Sequence, residues 1–478
     1  MVDEKVAYAS IAEIGRLYRQ GKLSPVELTR FILARIERLN PKLNAYLEIS
    51  GDMALQQAKF AERVLSSRKK SGRDLAALHG IPISLKDNIY TKGIPTTGGS
   101  AILRDFVPTQ DAPVVTTLKN AGAVIVGKTN LHEFAYGTTS NNPHYGPVKN
   151  PWDLSRIAGG SSGGSAAALA AGLCFGSVGT DTGGSIRIPA SLCGVVGLKP
   201  GLGRVSTDRV IPLSTTLDVV GPLARSVADA ALIFDAILGG TKSISKHRPL
   251  RGVGSRKNRK WRLGIPKEFF LDVLDPEVRK AFDQAVQLLK KAGAQIMPVS
   301  IPLLAETEDA GNQIAWAEAT LYHQDMGWYP QRAGEYGEDV RTRIEMGAKV
   351  TAVSYLRALE LREKFITAFE QTIESNDLNA LVAPTTAIAA TRIGEESVSL
   401  GGKEYLTRAL LLRLNRPANL AGLPAISVPN GRTSGGLPIG LQFIAGATGE
   451  AMLLELAAEF ERIRPSDNAR PTLEEVAG

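Results

Sequence analysis

Two runs dense in Gly and Ser lie close together in the chain, Ala158-Gly159-Gly160-Ser161-Ser162-Gly163-Gly164-Ser165 and Thr180-Asp181-Thr182-Gly183-Gly184-Ser185-Ile186-Arg187. Flexible Gly/Ser linkers separate polar segments. These runs instead adjoin Ala166 to Ala171, a strong helix former that Gly172 can stop, and Leu173 to Val178, an apolar stretch fit for a buried strand. Glycine lets the backbone come close to another group and turn its N–H groups inward. A serine on such a turn can act as a nucleophile, with neighbouring amides stabilising an oxyanion. A third group lies upstream. Ile81, Ile83 and Leu85 alternate as a short strand, and Lys86 stands where that strand leaves the core. Such a lysine is either a satisfied structural charge or a desolvated amine whose neutral form serves as a base.

The elements that must position these groups are readable along the chain. Ser24-Pro25-Val26-Glu27 is a capping box with Pro at the first helical position. Leu28, Phe31, Ile32, Ile36 and Leu39 form its helix's apolar stripe, and Asn40-Pro41 is expected to stop it. Helices are expected over 53–69, 114–121, 227–238, 276–291 and 450–463, and over most of 305–374, including 355–373. Strands are expected at 123–126, 295–299, 380–383, 425–428 and 440–444. Strands and helices mix along the whole length without an internal repeat. The expected fold class is α/β: a large mixed, mostly parallel central sheet covered by helices on both faces.

Two look-alike motifs carry no chemistry. Gly122 to Thr129 matches the P-loop pattern, but its Ala-Val-Ile-Val centre favours a strand rather than a phosphate cradle. His132-Glu133 begins like a zinc helix, yet position 136 is Tyr. The five histidines show no metal-ligand spacing, so no metal or cofactor is expected. A Ser-His-Asp triad has weak local support and stays open, because triads assemble in space.

With 478 residues, 44% hydrophobic and 22% charged, the chain has ample material for a large core. The net charge of +8 is concentrated in Lys246 to Arg262, read as a solvated loop rather than a nucleic-acid surface. Two cysteines, Cys174 and Cys193, cannot build a disulfide framework, which fits a reducing, cytoplasmic location. The start carries acidic residues and no apolar core of a secretory signal, and no run of about 20 apolar residues spans a membrane.

Lys86, Gly159 to Ser165 and Asp181 to Ala190 together resemble the amidase signature family. Gly80 to Asn88, Gly127 to Phe134, Cys193 to Pro200 and Pro417 to Pro429 match as well, and the similarity spans roughly residues 8 to 463. The resemblance implies a Ser-cisSer-Lys triad: Ser185 as nucleophile, Ser161 as bridging serine joined to Gly160 by a cis peptide bond, and Lys86 as base. It implies an oxyanion hole from the amides of Thr182, Gly183, Gly184 and Ser185. Asp181, Arg187, Gly160 and Ser162 would support that loop structurally. It also implies one amidase domain over 1–478, divided into an N-terminal helical part (1–70), the signature core (71–240), a basic loop (241–262) and a C-terminal α/β part (263–478).

Two functional readings follow from the resemblance. The first is a free-standing amidase using an acyl-enzyme, acting on small apolar or aryl amides, with esters or carbamates as side substrates. Tyr136, Gly137 and Ile188 would contact substrate, and Ile188, Tyr136, Leu411 and Leu412 would make the pocket apolar. The alternative is the glutamine-hydrolysing A subunit of a glutamyl-tRNA amidotransferase. Leu412 stands where those subunits hold the glutamine ammonium with an Asp, and Ile188 where they commonly carry Gln, which favours the first reading. Arg343 falls where they bind a carboxylate, which keeps the second. The expected partner is a small-molecule amide, with no nucleic acid as primary ligand and no membrane; a homodimer is left open.

Overall fold

The computed structural model describes residues 2–68, 75–239, 260–466 and 469–473. Its centre is an eleven-stranded sheet. The strands, numbered in chain order, are β1 (Tyr46–Ile49), β2 (Pro82–Lys86), β3 (Val124–Thr129), β4 (Gly176–Asp181), β5 (Val196–Lys199), β6 (Val219–Ala224), β7 (Arg262–Pro266), β8 (Gln295–Val299), β9 (Ala380–Pro384), β10 (Ala425–Arg432) and β11 (Pro438–Ile444). Their spatial order is β1-β3-β2-β4-β6-β5-β10-β11-β9-β7-β8.

The sheet is mixed, as expected, but its parallel share is smaller than expected. Parallel pairs join β2 to β3 and β4, and β7 to β8 and β9. The stretch from β4 through β6, β5, β10 and β11 to β9 is antiparallel throughout, as is β1 against β3. The apolar runs of β5, β6, β10 and β11 are buried whichever way they pair, so composition alone does not reveal direction.

Helices cover both faces. A side chain at Gly176 would meet Ile233 of the helix Val227–Ile237, whereas one at Gly179 would meet Ser162, just before the helix Gly163–Ala170. Positions three apart on one strand face opposite ways, so the two helices lie on opposite sides of β4. Gly163–Ala170 is buried along its entire length. That burial explains its small residues: a Cβ on Gly164 would stand 2.4 Å from Ala45 O.

Local signals set most boundaries. Ser24 Oγ accepts from Glu27 N–H and Glu27 Oε2 accepts from Ser24 N–H, closing the capping box. The helix it opens runs Pro25–Leu43, past the stop expected at Pro41. Proline there removes one hydrogen bond but keeps a helical φ; Asn44, left-handed at φ 53°, ends the helix instead. The strand expected over 173–178 forms three residues later, as β4. Leu173, Cys174 and Phe175 are core residues leading into it. Of the basic stretch, 241–259 lies outside the described residues. Its end is not loop, since Trp261 is buried and Arg262 opens β7. No helix among the described residues is long and apolar enough to cross a membrane.

Candidate active site

β2 and β4 are adjacent and parallel, so Lys86 and Thr180, near their carboxyl ends, point into one region. Crevices at the carboxyl ends of such strands are where open α/β sheets place their ligands. Lys86 Nζ donates to Ser161 Oγ at 2.7 Å and to Thr180 Oγ1 at 2.6 Å. Burial pushes the Lys86 ammonium down to about 7, against the opposing pull of Asp218 and Asp181. At neutral pH a substantial fraction is therefore the free amine. The Gly160–Ser161 peptide bond is cis.

Ser161 and Ser185 lie on neighbouring backbones: Ser162 N–H donates to Ser185 C=O at 3.2 Å. Ser162 Oγ donates to Thr180 C=O at 3.3 Å, tying the first run to β4. Ser185 makes no side-chain hydrogen bond among the described residues, and it lines a narrow cavity with Tyr136, Gly137, Thr182, Gly183 and Leu412. A larger surface groove beside the helix Pro276–Lys291 holds none of these groups, so chemistry rather than size picks out the cavity at Ser185.

The loop from Thr182 to Ser185 is held by a buried clamp. Arg187 binds both carboxylate oxygens of Asp181, Nε to Oδ2 and Nη2 to Oδ1, each at 3.1 Å. Arg187 Nη2 also reaches Asn415 C=O and Asn419 Oδ1, and Nη1 reaches Gln442 Oε1 on β11. Burial alone would raise the Asp181 carboxyl. The Arg187 charge and hydrogen bonds, Lys199 and Asn419 together hold it well below the usual carboxylate range. Asp181 Oδ1 accepts from Gly184 N–H at 2.8 Å, which corrects the expectation that all four amides of the loop face an oxyanion. The N–H groups of Thr182, Gly183 and Ser185 have no acceptor among the described residues. Gly184 has φ 124°, and a Cβ there would stand 2.7 Å from that of Asn415. Only glycine fits this turn.

Two expected pocket residues lie elsewhere. Ile188 and Leu411 are fully buried core residues rather than cavity lining, because the helices carrying them turn these side chains into the cluster beneath the loop. Tyr136, Gly137 and Leu412 do line the cavity. The expected apolar character also fails, since Arg408 and Arg416 share the lining and Arg343 places its guanidinium 5.2 Å from the Tyr136 ring centre. Sequence reasoning missed Arg408 and Arg416. The signal was their position inside an apolar run, where an unpaired charge is costly. It also missed Thr180, adjacent to Asp181, and Asp218. Asp218 Oδ1 accepts from Thr182 Oγ1 at 2.5 Å, and burial pushes its carboxyl up to about 6.

The false P-loop folds as a strand, β3. Lys128, at the end of the false P-loop, is buried in β3 and paired with Asp87 at 3.2 Å. His132 Nε2 bonds Asp339, and no cluster able to hold a metal occurs among the described residues.

The family model described as Amidase matches residues 27–454. The A subunit of the glutamyl-tRNA(Gln) amidotransferase from Syntrophus aciditrophicus is 38% identical, with 97% of this chain and 99% of the relative covered. A solved structure described as an amidase superposes with a TM-score of 0.86 at 32% identity, covering 96% of this chain and all of that one. The A subunit of the Thermotoga maritima glutamyl-tRNA(Gln) amidotransferase superposes with a TM-score of 0.79 at 33% identity, covering both chains fully. With that extent of match over the residues that build the site, the chain belongs to the amidase family.

Proposed function

We propose that this protein hydrolyses a carbon–nitrogen amide bond through an acyl-enzyme on Ser185, with Ser161 as proton relay and Lys86 as base. The observation that carries the reading is the Lys86 Nζ–Ser161 Oγ hydrogen bond, made by a lysine pushed down to about 7. A serine hydroxyl needs a positioned base, and a base works best with a pKa near the working pH. Neutral Lys86 takes the Ser161 proton as Ser161 takes that of Ser185. Ser185 Oγ attacks the carbonyl carbon, and the amides of Thr182, Gly183 and Ser185 stabilise the oxyanion. The C–N bond breaks as the relay returns a proton to the leaving amine. Water then attacks the ester, giving the acid and free Ser185.

Between the two substrate readings, the curated relatives favour glutamine and membership of an amidotransferase over small apolar or aryl amides. The guanidiniums in the cavity wall also weigh against an apolar substrate. Leu412 on that wall is the residue that weighs against glutamine. The test is ammonia release by the purified chain from glutamine, anilides and aliphatic amides. Glutamine turnover without anilide turnover supports the amidotransferase reading. Anilide turnover without glutamine turnover supports the free-standing one, and activity surviving Ser185→Ala contradicts both.

A further inference from the structure

Arg408 and Arg416 stand on the cavity wall beside Ser185, yet neither guanidinium has a hydrogen-bond or ion-pair partner among the described residues. The Nε atoms of both, and the Tyr136 hydroxyl, are enclosed and unpartnered. Arg416 is 6% exposed. Its Nη2 comes within 3.8 Å of where a side chain on Gly183 would begin, which sets it next to the loop that faces the reacting carbonyl. The charges around this pair are Arg343, Asp339 and Glu308. Asp339 is already bound to His132 and Arg343, and Glu308 makes no ion pair with Arg416. Arg408 is half-buried with its Nε enclosed, and a buried guanidinium without an anion is costly and is normally paired. Among the described residues no Asp or Glu lines the cavity, so an ammonium entering it would find no counter-charge.

We propose that Arg408 and Arg416 hold a carboxylate on the substrate, so that the preferred substrates are short ω-amides of dicarboxylic acids that lack a free amine. The Tyr136 hydroxyl supplies a further donor to that carboxylate. This inference rests on the proposed amidase reading, and it narrows the substrate to an anion without a cation.

The test compares kcat/KM for succinamate and glutaramate with butanamide and pentanamide, which lack the carboxylate, and with asparagine and glutamine, which add the ammonium. The acid amides are expected to lead both other pairs by at least about 10-fold, the scale of one charge-assisted hydrogen bond. In Arg408→Gln and Arg416→Gln the ratio of acid amide to uncharged amide should fall by roughly 10- to 100-fold, with part of it restored in Arg416→Lys. Equal loss on charged and uncharged amides in these variants, or glutamine preferred over glutaramate, overturns the inference. Calorimetric titration of Ser185→Ala with glutaramate separates the two claims. Binding that disappears when Arg416→Gln is added, in a protein that hydrolyses no amide, sinks the amidase reading and leaves the carboxylate site standing. Turnover of butanamide with no glutaramate binding sinks the carboxylate site alone.

Discussion

In the proposed mechanism a single amine decides the chemistry at the residue scale. Lys86 is useful only when neutral, and the desolvation that pushes it down to about 7 is what makes it so. The acid limb of kcat/KM should therefore rise with pH to a plateau, with an apparent pKa of about 7. Asp218 pulls the Lys86 ammonium upward. Asp218→Asn is accordingly expected to shift the limb to lower pH, and a shift to higher pH would remove Asp218 from the electrostatics of the site. Lys86→Ala should lower kcat by about 100- to 10,000-fold, read by ammonia release with circular dichroism as the fold control. Of the proposed triplet, Lys86 and the two Gly/Ser runs stand out by residue type, a lysine ending an apolar strand and serines in Gly-rich runs that adjoin a helix and a strand, whereas only the family resemblance singles out Ser161 and Ser185 within those runs. Arg408 and Arg416 are not legible in the same way, since a charge in an apolar run announces a partner but not its nature.

At the scale of elements, the site depends on one clamp. Arg187 joins the loop after β4 to the helix Arg416–Leu420 and to β11, so residues far apart in the chain hold the loop amides in place. Arg187→Met leaves Asp181 buried without its counter-charge and should cost about 3–5 kcal/mol in urea unfolding. An unchanged midpoint would show that the loop is held by other contacts. Helix starts marked by a capping residue are legible to the residue, as at Ser24, because the cap is local. What is not legible depends on tertiary partners. The helix at Pro41 continues because its end is set by Asn44, and β4 starts late because β2 fixes its register. Ile188 is absent from the pocket because the helix Arg187–Cys193 turns it into the core.

The molecule as a whole accommodates lysines that its fold makes unfavourable. Burial pushes both Lys86 and Lys199 down to about 7, whereas a lysine in the unfolded chain titrates near 10.4. Between those values the unfolded chain carries protons that the folded chain lacks, so these groups make stability rise as pH climbs from about 7 toward 10. Lys86→Met should then melt higher than the parent at pH 6, by a margin that narrows by pH 10. A margin independent of pH would mean that Lys86 is not desolvated in solution. The large α/β architecture follows from the mixture of strand and helix patterns, while the antiparallel middle of the sheet does not, because pairing direction leaves no trace in a fully buried strand. Where the acyl group goes decides whether Ser185 is the nucleophile. Acid-quenched turnover with an amide substrate, followed by peptide mass spectrometry, should find the adduct on Ser185, absent in Ser185→Ala and strongly diminished in Lys86→Ala. An adduct on Ser161, Ser162 or a cysteine, or undiminished turnover in Ser185→Ala, would contradict it.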